Sequence, residues 1–363
     1  MLTKLRKVSI WESFFRPKGF RMFVHITGTG SYLPERVVSN AELAAKLDTT
    51  DEWIFSHTGI RSRHFGADDE TTSSMAVRAA RAALESAGVA PGQLGMIIVA
   101  TSTSDYQAFP STACLVQEAL GAKKAGAFDL QAACSGFIYA LEVARGMMQI
   151  NPCPTLVIGA EMLSRIADWT DRNSCILFGD AAGAVVLEAS DVPGGSWHTI
   201  LKADGSGADL IYREGGSRAP ATGPWMQHTL QMNGRAVFNF AVKVFDEILC
   251  GLLERSGHTF RDLSCVIPHQ ANARIVEAVA RRMKVPLETF YMNMETTGNT
   301  SAASIPVALD EALRLGKIKN DDLIAMVGFG AGLTYAGILM KWRGKAGKPR
   351  SAGLCETVAT ENQ

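Results

Sequence analysis

Apolar residues along this chain alternate between short unbroken runs and longer stretches spaced three and four apart. These are the marks of buried strands and of helices with one buried face. Ala125 to Leu130 is one short run and reads as a buried strand. It is followed by Phe137 to Gln149, where Phe137, Ile138, Leu141, Val143, Ala144, Met147 and Met148 carry helical spacing. Leu84-Glu85-Ser86-Ala87-Gly88, then Leu94, then Ile97-Ile98-Val99 predicts a helix ending at glycine, a loop and a buried strand. The same order recurs 169 residues later as Leu253-Glu254-Arg255-Ser256-Gly257, Leu263 and Val266-Ile267. A second echo, offset by 151, pairs Phe178-Gly179 and its Ala/Gly/Val strand with Phe329-Gly330 and its own. Two helix–strand halves of one plan are expected to face each other.

The 363 residues suffice for one large domain or two, with a substantial core. Basic and acidic residues balance at 36 each, which argues against a nucleic-acid or membrane-surface protein. No apolar stretch is long enough to span a bilayer. Seven cysteines without dense spacing predict reduced thiols in a cytosolic (cytoplasmic) protein, and none sits in a metal-ligand pattern. Residues 1–21 mix basic residues with Trp11, Phe14, Phe15 and Phe20 but lack a sustained apolar region, so no secretory signal is expected. They read as an upstream start or a disordered arm. Residues 346–363 read as a disordered tail.

Candidate chemistry centres on Asp129-Leu130-Gln131-Ala132-Ala133-Cys134-Ser135-Gly136-Phe137, which sets one cysteine among small residues where the strand turns into the helix. A thiol at a helix N-terminus faces unpaired N–H groups and the positive end of the macrodipole, which favour thiolate. Alone, the pattern serves a buried structural cysteine equally well. Val266-Ile267-Pro268-His269-Gln270-Ala271-Asn272 puts a histidine after an apolar strand. Gly298-Asn299-Thr300-Ser301-Ala302-Ala303-Ser304 puts an asparagine in a loop of small residues.

With Gly328-Phe329-Gly330-Ala331-Gly332-Leu333-Thr334, this set closely resembles β-ketoacyl-acyl-carrier-protein synthase III, of the thiolase-like superfamily. The resemblance runs from about Met22 to Trp342. It includes Gly28-Thr29-Gly30-Ser31, Asp51-Glu52-Trp53-Ile54, Thr58-Gly59-Ile60-Arg61 and Ala108-Phe109-Pro110-Ser111. It implies an α/β fold in five layers (αβαβα) built from two duplicated halves, residues 22–190 and 191–345, with the site between them.

The resemblance also implies the chemistry. Cys134 would take an acyl group from acyl-CoA, splitting the condensation into two steps. The backbone N–H groups of Cys134 and Ala331 would form the oxyanion hole; the family commonly has glycine at the latter, and the donor survives if φ there is negative. His269 and Asn299 would hold the enolate left when a malonyl-carrier thioester loses carbon dioxide. Trp53 and Arg172 resemble the pair that sandwiches adenine, while Thr49, Gly234, Asn272 and Arg274 match positions along the pantetheine and phosphate path. His57 stands where arginine is usual, and makes that phosphate contact pH-dependent. Phe109 resembles the residue that enters the partner subunit's acyl pocket, which implies a homodimer. Leu163 and Phe178 match further pocket positions. Arg274, Arg281 and Arg282 share one helix face and are a candidate docking patch for the acidic carrier protein; a solvated face is the simpler reading. No cofactor or metal is expected, acyl-CoA being a substrate.

A thiolase would be expected to show a second catalytic cysteine in Gly328 to Thr334, and none is there. The elongating ketosynthases carry a second histidine where Asn299 stands. A papain-like protease shares the order Cys, His, Asn but not the sequence around Cys134. The expected reaction is therefore acyl-CoA plus malonyl-carrier giving 3-oxoacyl-carrier, coenzyme A and carbon dioxide, at the start of fatty-acid synthesis. Two alternatives are a specialised synthase using another starter and, against the intact Cys134, His269 and Asn299, a non-catalytic acyl-CoA-binding homologue.

Overall fold

A computed structural model describes residues 23–191, 197–215 and 229–344; the extension 1–21 and the tail 346–363 lie outside them. The first half runs β1 (Phe23–Tyr32), β2 (Arg36–Ser39), α1 (Asn40–Ala44), α2 (Asp51–Thr58), β3 (Ser62–Phe65), α3 (Thr72–Ala87) and β4 (Met96–Ala100). It continues through α4 (Thr112–Leu120), β5 (Gly126–Leu130), α5 (Gly136–Ile150), β6 (Thr155–Met162) and β7 (Asp180–Ser190). The second half runs β8 (Trp197–Ala203), β9 (Ile211–Tyr212), β10 (Gln231–Met232), α6 (Gly234–Ser256), β11 (Leu263–Pro268) and α7 (Ala273–Met283). It ends with α8 (Met294–Thr297), α9 (Ser304–Arg314), β12 (Leu323–Gly330) and β13 (Thr334–Lys341).

One sheet has the order β1-β7-β6-β4-β5 and the other β8-β13-β12-β11. The orders match strand by strand. β1 and β8 each pair antiparallel with the next strand, β7 and β13 pair antiparallel with β6 and β12, and β4 and β11 pair parallel with those. The first sheet adds β5, parallel to β4. Helices α3 and α4 cover the first sheet and α6 and α7 the second, while α5 and α9 lie between them. The result is five layers, αβαβα.

The echoes in the sequence have a structural basis. Gly88 closes α3 at φ 72° and its N–H reaches the carbonyls of Leu84 and Glu85. Gly257 closes α6 at φ 72° with the same bonds to Leu253 and Glu254. A left-handed cap is where glycine avoids the Cβ penalty. Phe178-Gly179 precedes β7 and Phe329-Gly330 ends β12 before β13, so the second echo also falls at equivalent places.

Apolar side chains fill the centre of the middle layer. Phe137, Ile138 and Leu141 of α5 and Ile305 and Leu309 of α9 join Ile98 and Val157 of one sheet and Ile267, Met326 and Ile338 of the other. Each such buried side chain contributes about 1.5–3 kcal/mol of transfer free energy. This core fixes the two helix entries that carry the site.

Candidate active site

Cys134 lies in a 3₁₀ turn, Ala133–Ser135, between β5 and α5. It is entered with Ala133 at φ 45°, a left-handed conformation that a non-glycine residue adopts only when its surroundings hold it there. The end of β12 presses on the same turn. A Cβ at Gly330 would fall 2.9 Å from the Cys134 backbone N and 3.1 Å from Sγ, so any side chain there displaces the thiol. A hydroxyl pair ties the loops together: Ser135 Oγ donates to Thr334 Oγ1 at 2.8 Å, and Thr334 Oγ1 lies 2.9 Å from the carbonyls of Ala132 and Ala331.

Ala331 keeps a negative, helical φ in the turn Ala331–Leu333, while Gly332 takes the left-handed φ of 126°. The change from glycine at position 331 therefore leaves its N–H usable. Both Cys134 and Ala331 line one cavity of about 480 Å³ between the halves.

His269 follows β11 and is buried. Its Nδ1 lies 2.7 Å from Ser304 Oγ, and its ring packs edge-on against Phe329. Burial lowers its pKa to about 3, so the imidazole is neutral at physiological pH. Asn299 Oδ1 accepts the Ser301 N–H at 2.9 Å, which identifies Nδ2 as the donor end of its carboxamide. Its own N–H donates to Leu177 O, and its carbonyl accepts from Gly179. His269 and Asn299 both line the cavity that holds Cys134.

The thiol departs from expectation. Cys134 borders the cavity and is part-exposed, but protein surrounds it elsewhere, and that burial pushes its pKa up to about 12. Desolvation is the largest influence and outweighs the hydrogen bonds that favour the thiolate, so the resting sulfur is held as a thiol.

Sequence reasoning also passed over Glu161, at the end of β6, which is 0 % exposed. Ser301 donates to its Oε1 at 3.0 Å and Thr103 to its Oε2 at 2.5 Å. The Ser102 N–H lies 3.1 Å from Oε2. A carboxylate closing the apolar run Leu156-Val157-Ile158-Gly159-Ala160 was the available signal.

Trp53, His57, Gly234, Asn272, Leu163 and Phe178 line the same cavity; Thr49, Arg172 and Arg274 stand outside its lining. The Arg172 guanidinium carbon sits 5.3 Å from the Trp53 ring centroid and the group bonds to Asp48. A planar base between two planar groups needs about 7 Å, twice an ordinary contact distance, so this pair must part to admit one. His57 stacks on Trp53 with centroids 4.2 Å apart, and its Nδ1 lies 2.7 Å from Trp53 O. Asn272 caps α7 by accepting the Arg274 N–H and donates to His57 O. Thr49 Oγ1 is buried with no partner among the described residues. Phe109 lies outside the cavity, 85 % exposed on the β4–α4 connection. The three arginines do not form one free face. Arg282 turns to α6 and pairs with Asp246 at 3.0 Å, and Arg281 lies 3.8 Å from Glu277.

Comparison with known proteins bears on what this site belongs to. A family model described as 3-oxoacyl-[acyl-carrier-protein] synthase III matches residues 128–208, and one for the C-terminal part of the same enzymes matches residues 253–342. The chain is 49% identical over 322 residues to a β-ketoacyl-[acyl-carrier-protein] synthase III of Caldanaerobacter subterraneus subsp. tengcongensis, covering 87% of this chain and 97% of the relative. It is 47% identical over 324 residues to the enzyme of that name from Xanthomonas axonopodis pv. citri, covering 89% and 99%. Among solved structures, 3-oxoacyl-[acyl-carrier-protein] synthase III from Aquifex aeolicus superposes with a TM-score of 0.82 at 44% identity, covering 88% of this chain and 100% of that one. A priming β-ketosynthase of a polyketide pathway gives a TM-score of 0.82 at 39% identity, covering 88% and 96%. Matched across both halves, and with a cysteine, a histidine and an asparagine drawn to one cavity at their seam, the chain belongs to the β-ketoacyl-acyl-carrier-protein synthase III family.

Proposed function

We propose that the chain condenses an acyl-CoA starter with a malonyl-acyl carrier protein, giving 3-oxoacyl-acyl carrier protein, coenzyme A and carbon dioxide, and so initiates fatty-acid chains. The observation that carries this reading is the convergence of Cys134, His269 and Asn299 on one cavity, with Gly330-Ala331 against the sulfur.

Cys134 Sγ attacks the acyl-CoA carbonyl, and the oxyanion is met by the N–H groups of Cys134 and Ala331, each donor typically worth about 3 kcal/mol. Coenzyme A leaves, its adenine held between Trp53 and Arg172, its phosphates and pantetheine along Thr49, His57, Gly234, Asn272 and Arg274. Malonyl-carrier then loses carbon dioxide. With Ser304 donating to Nδ1, His269 offers Nε2–H, and Asn299 offers Nδ2–H, to the enolate oxygen. Neither carries a charge, which suits decarboxylation over proton abstraction. No resident cofactor or metal takes part.

Leu163 and Phe178 border the acyl chain. Phe109 closes the pocket of the second subunit of a homodimer, a role its exposure supports. Arg274 and Arg281 face the carrier protein, with Arg282 contributing less because Asp246 holds it. Among the described residues no helix is long and apolar enough to cross a membrane, and we place the enzyme in the cytoplasm.

The likeness to a polyketide priming ketosynthase favours one further reading, a specialised pathway with a different starter. Intact-mass measurement after mixing with a panel of acyl-CoA thioesters separates the two. Preference for acetyl or short branched acyl groups supports initiation of fatty acids; preference for an unusual starter supports the specialised pathway; no adduct on Cys134 contradicts both.

A further inference from the structure

The proposed acylation needs an acceptor for the Cys134 proton. His269 is a poor one, being deeply buried with Nδ1 already engaged by Ser304. A different group is in place. Ser301 lines the same cavity as Cys134, in a turn packed against the Cys134 turn, and its hydroxyl donates to Glu161 Oε1 at 3.0 Å. Ser301 is itself buried, in the turn that enters α9, at φ 47°. Glu161 is closed off from solvent at the end of β6.

We infer that Glu161, acting through Ser301, is the proton acceptor for Cys134 during acylation, which makes Ser301 a catalytic residue and Glu161 a positioning residue with a proton-holding role. The inference rests on Cys134 being the acyl-accepting sulfur.

The proton inventory balances. As sulfur bonds to the thioester carbon, the Cys134 S–H bond breaks and its proton passes to Ser301 Oγ. The Ser301 proton passes to Glu161 Oε1. One negative charge thus moves from the carboxylate to the oxyanion, where the Cys134 and Ala331 N–H groups meet it. Collapse breaks the bond to the coenzyme A sulfur. The proton returns along the same two oxygens to that departing thiolate, which is attached to the same carbon, and Glu161 is again a carboxylate.

The surroundings tune the acceptor. β6 supplies Glu161. The segment after β4 supplies the Thr101 and Thr103 hydroxyls and the Ser102 N–H, and the turn before α9 supplies the Ser301 hydroxyl and the Ala302 N–H. Cys134 is the titratable group facing it from the turn before α5. The donors favour carboxylate, but burial outweighs them and raises the Glu161 pKa to about 7. A base poised near the working pH is the efficient choice for proton transfer.

The test compares the wild type with Glu161→Gln and Ser301→Gly from pH 5 to pH 9. Two rates are followed by mass spectrometry at Cys134: single-turnover acylation by acyl-CoA, and alkylation by iodoacetamide. Ser301→Gly removes the hydroxyl at a φ that glycine adopts readily, so it remains decisive if Glu161→Gln fails to fold. In the wild type both rates should rise through about pH 7 as Glu161 ionises. Both variants should slow both rates about a hundredfold at neutral pH, the low end of what positioned proton transfer supplies, and lose that rise. Wild-type rates with the wild-type pH profile in Ser301→Gly would overturn the relay. Acylation of a different residue in the wild-type protein would overturn the proposed function instead, and the alkylation arm would still read the relay.

Discussion

Helix α5 is entered through Ala133 at φ 45° and a 3₁₀ turn, and helix α9 through Ser301 at φ 47° and a 3₁₀ turn. The two turns pack against each other at the seam between the halves. Each left-handed, non-glycine residue costs on the order of 1 kcal/mol, so both are held by their surroundings. Their side chains differ. The α5 turn carries the thiol; the α9 turn carries Ser301, follows Asn299 and precedes Ser304, which contacts His269. Duplication thus supplies one backbone device twice, and the sequence divides the side chains: the first copy holds the proposed nucleophile, the second the groups proposed to handle protons and developing charge.

The largest break in that comparison is at the first copy. Cys134→Ala should lower both acyl transfer and condensation by about a thousandfold or more, since removal of a nucleophile abolishes the covalent route. Peptide mapping of the acylated wild type checks it, and an adduct on Cys114 or Cys175 would be contrary.

Gly330→Ala should come next. Its methyl group would meet Cys134 at 2.9 Å from N and 3.1 Å from Sγ, so the thiol must shift. A displacement of that size can cost about a hundredfold in rate, read in both half-reactions. A smaller effect is expected at the rim. Arg281→Glu should raise KM for malonyl-carrier a few-fold at low salt, with acylation by acyl-CoA unchanged. Its single substitution leaves the Arg282–Asp246 pair intact.

The smallest effect concerns pH. The His269 pKa is lowered to about 3, so protonation of the imidazole sets in only below about pH 4. The decarboxylation half-reaction, measured from pre-acylated enzyme, should show no loss attributable to imidazole between pH 8 and pH 5. A fall centred near the ordinary histidine value of about 6.5 would contradict the burial account.

What could be read in the sequence was local. Glycine-ended helices, the cysteine at a strand–helix junction and the histidine after an apolar strand are adjacent-residue signals, and the structure places all three where they were expected. What was missed depends on distant segments. Glu161 is satisfied by residues 58 to 60 and 140 positions away, so the apolar run before it marks a buried carboxylate but not the partners that give it a role. Helical spacing put Arg282 beside Arg281, but Asp246 on a different helix decides where it points. The helix N-terminus at Cys134 was legible, whereas the burial that raises its pKa depends on distant segments such as Gly330, which presses on the same turn.

The division of labour between the two turns has one direct test. His269→Ala and Asn299→Ala are mixed with acyl-CoA, then with carboxyl-labelled malonyl-carrier, and Cys134 acylation is followed by intact mass beside release of labelled carbon dioxide. The account predicts a near-normal adduct on Cys134 in both variants, with carbon dioxide release lowered about a hundredfold or more, as expected for loss of one oxyanion donor. Loss of the Cys134 adduct in both folded variants, or carbon dioxide release at the wild-type rate, would contradict it.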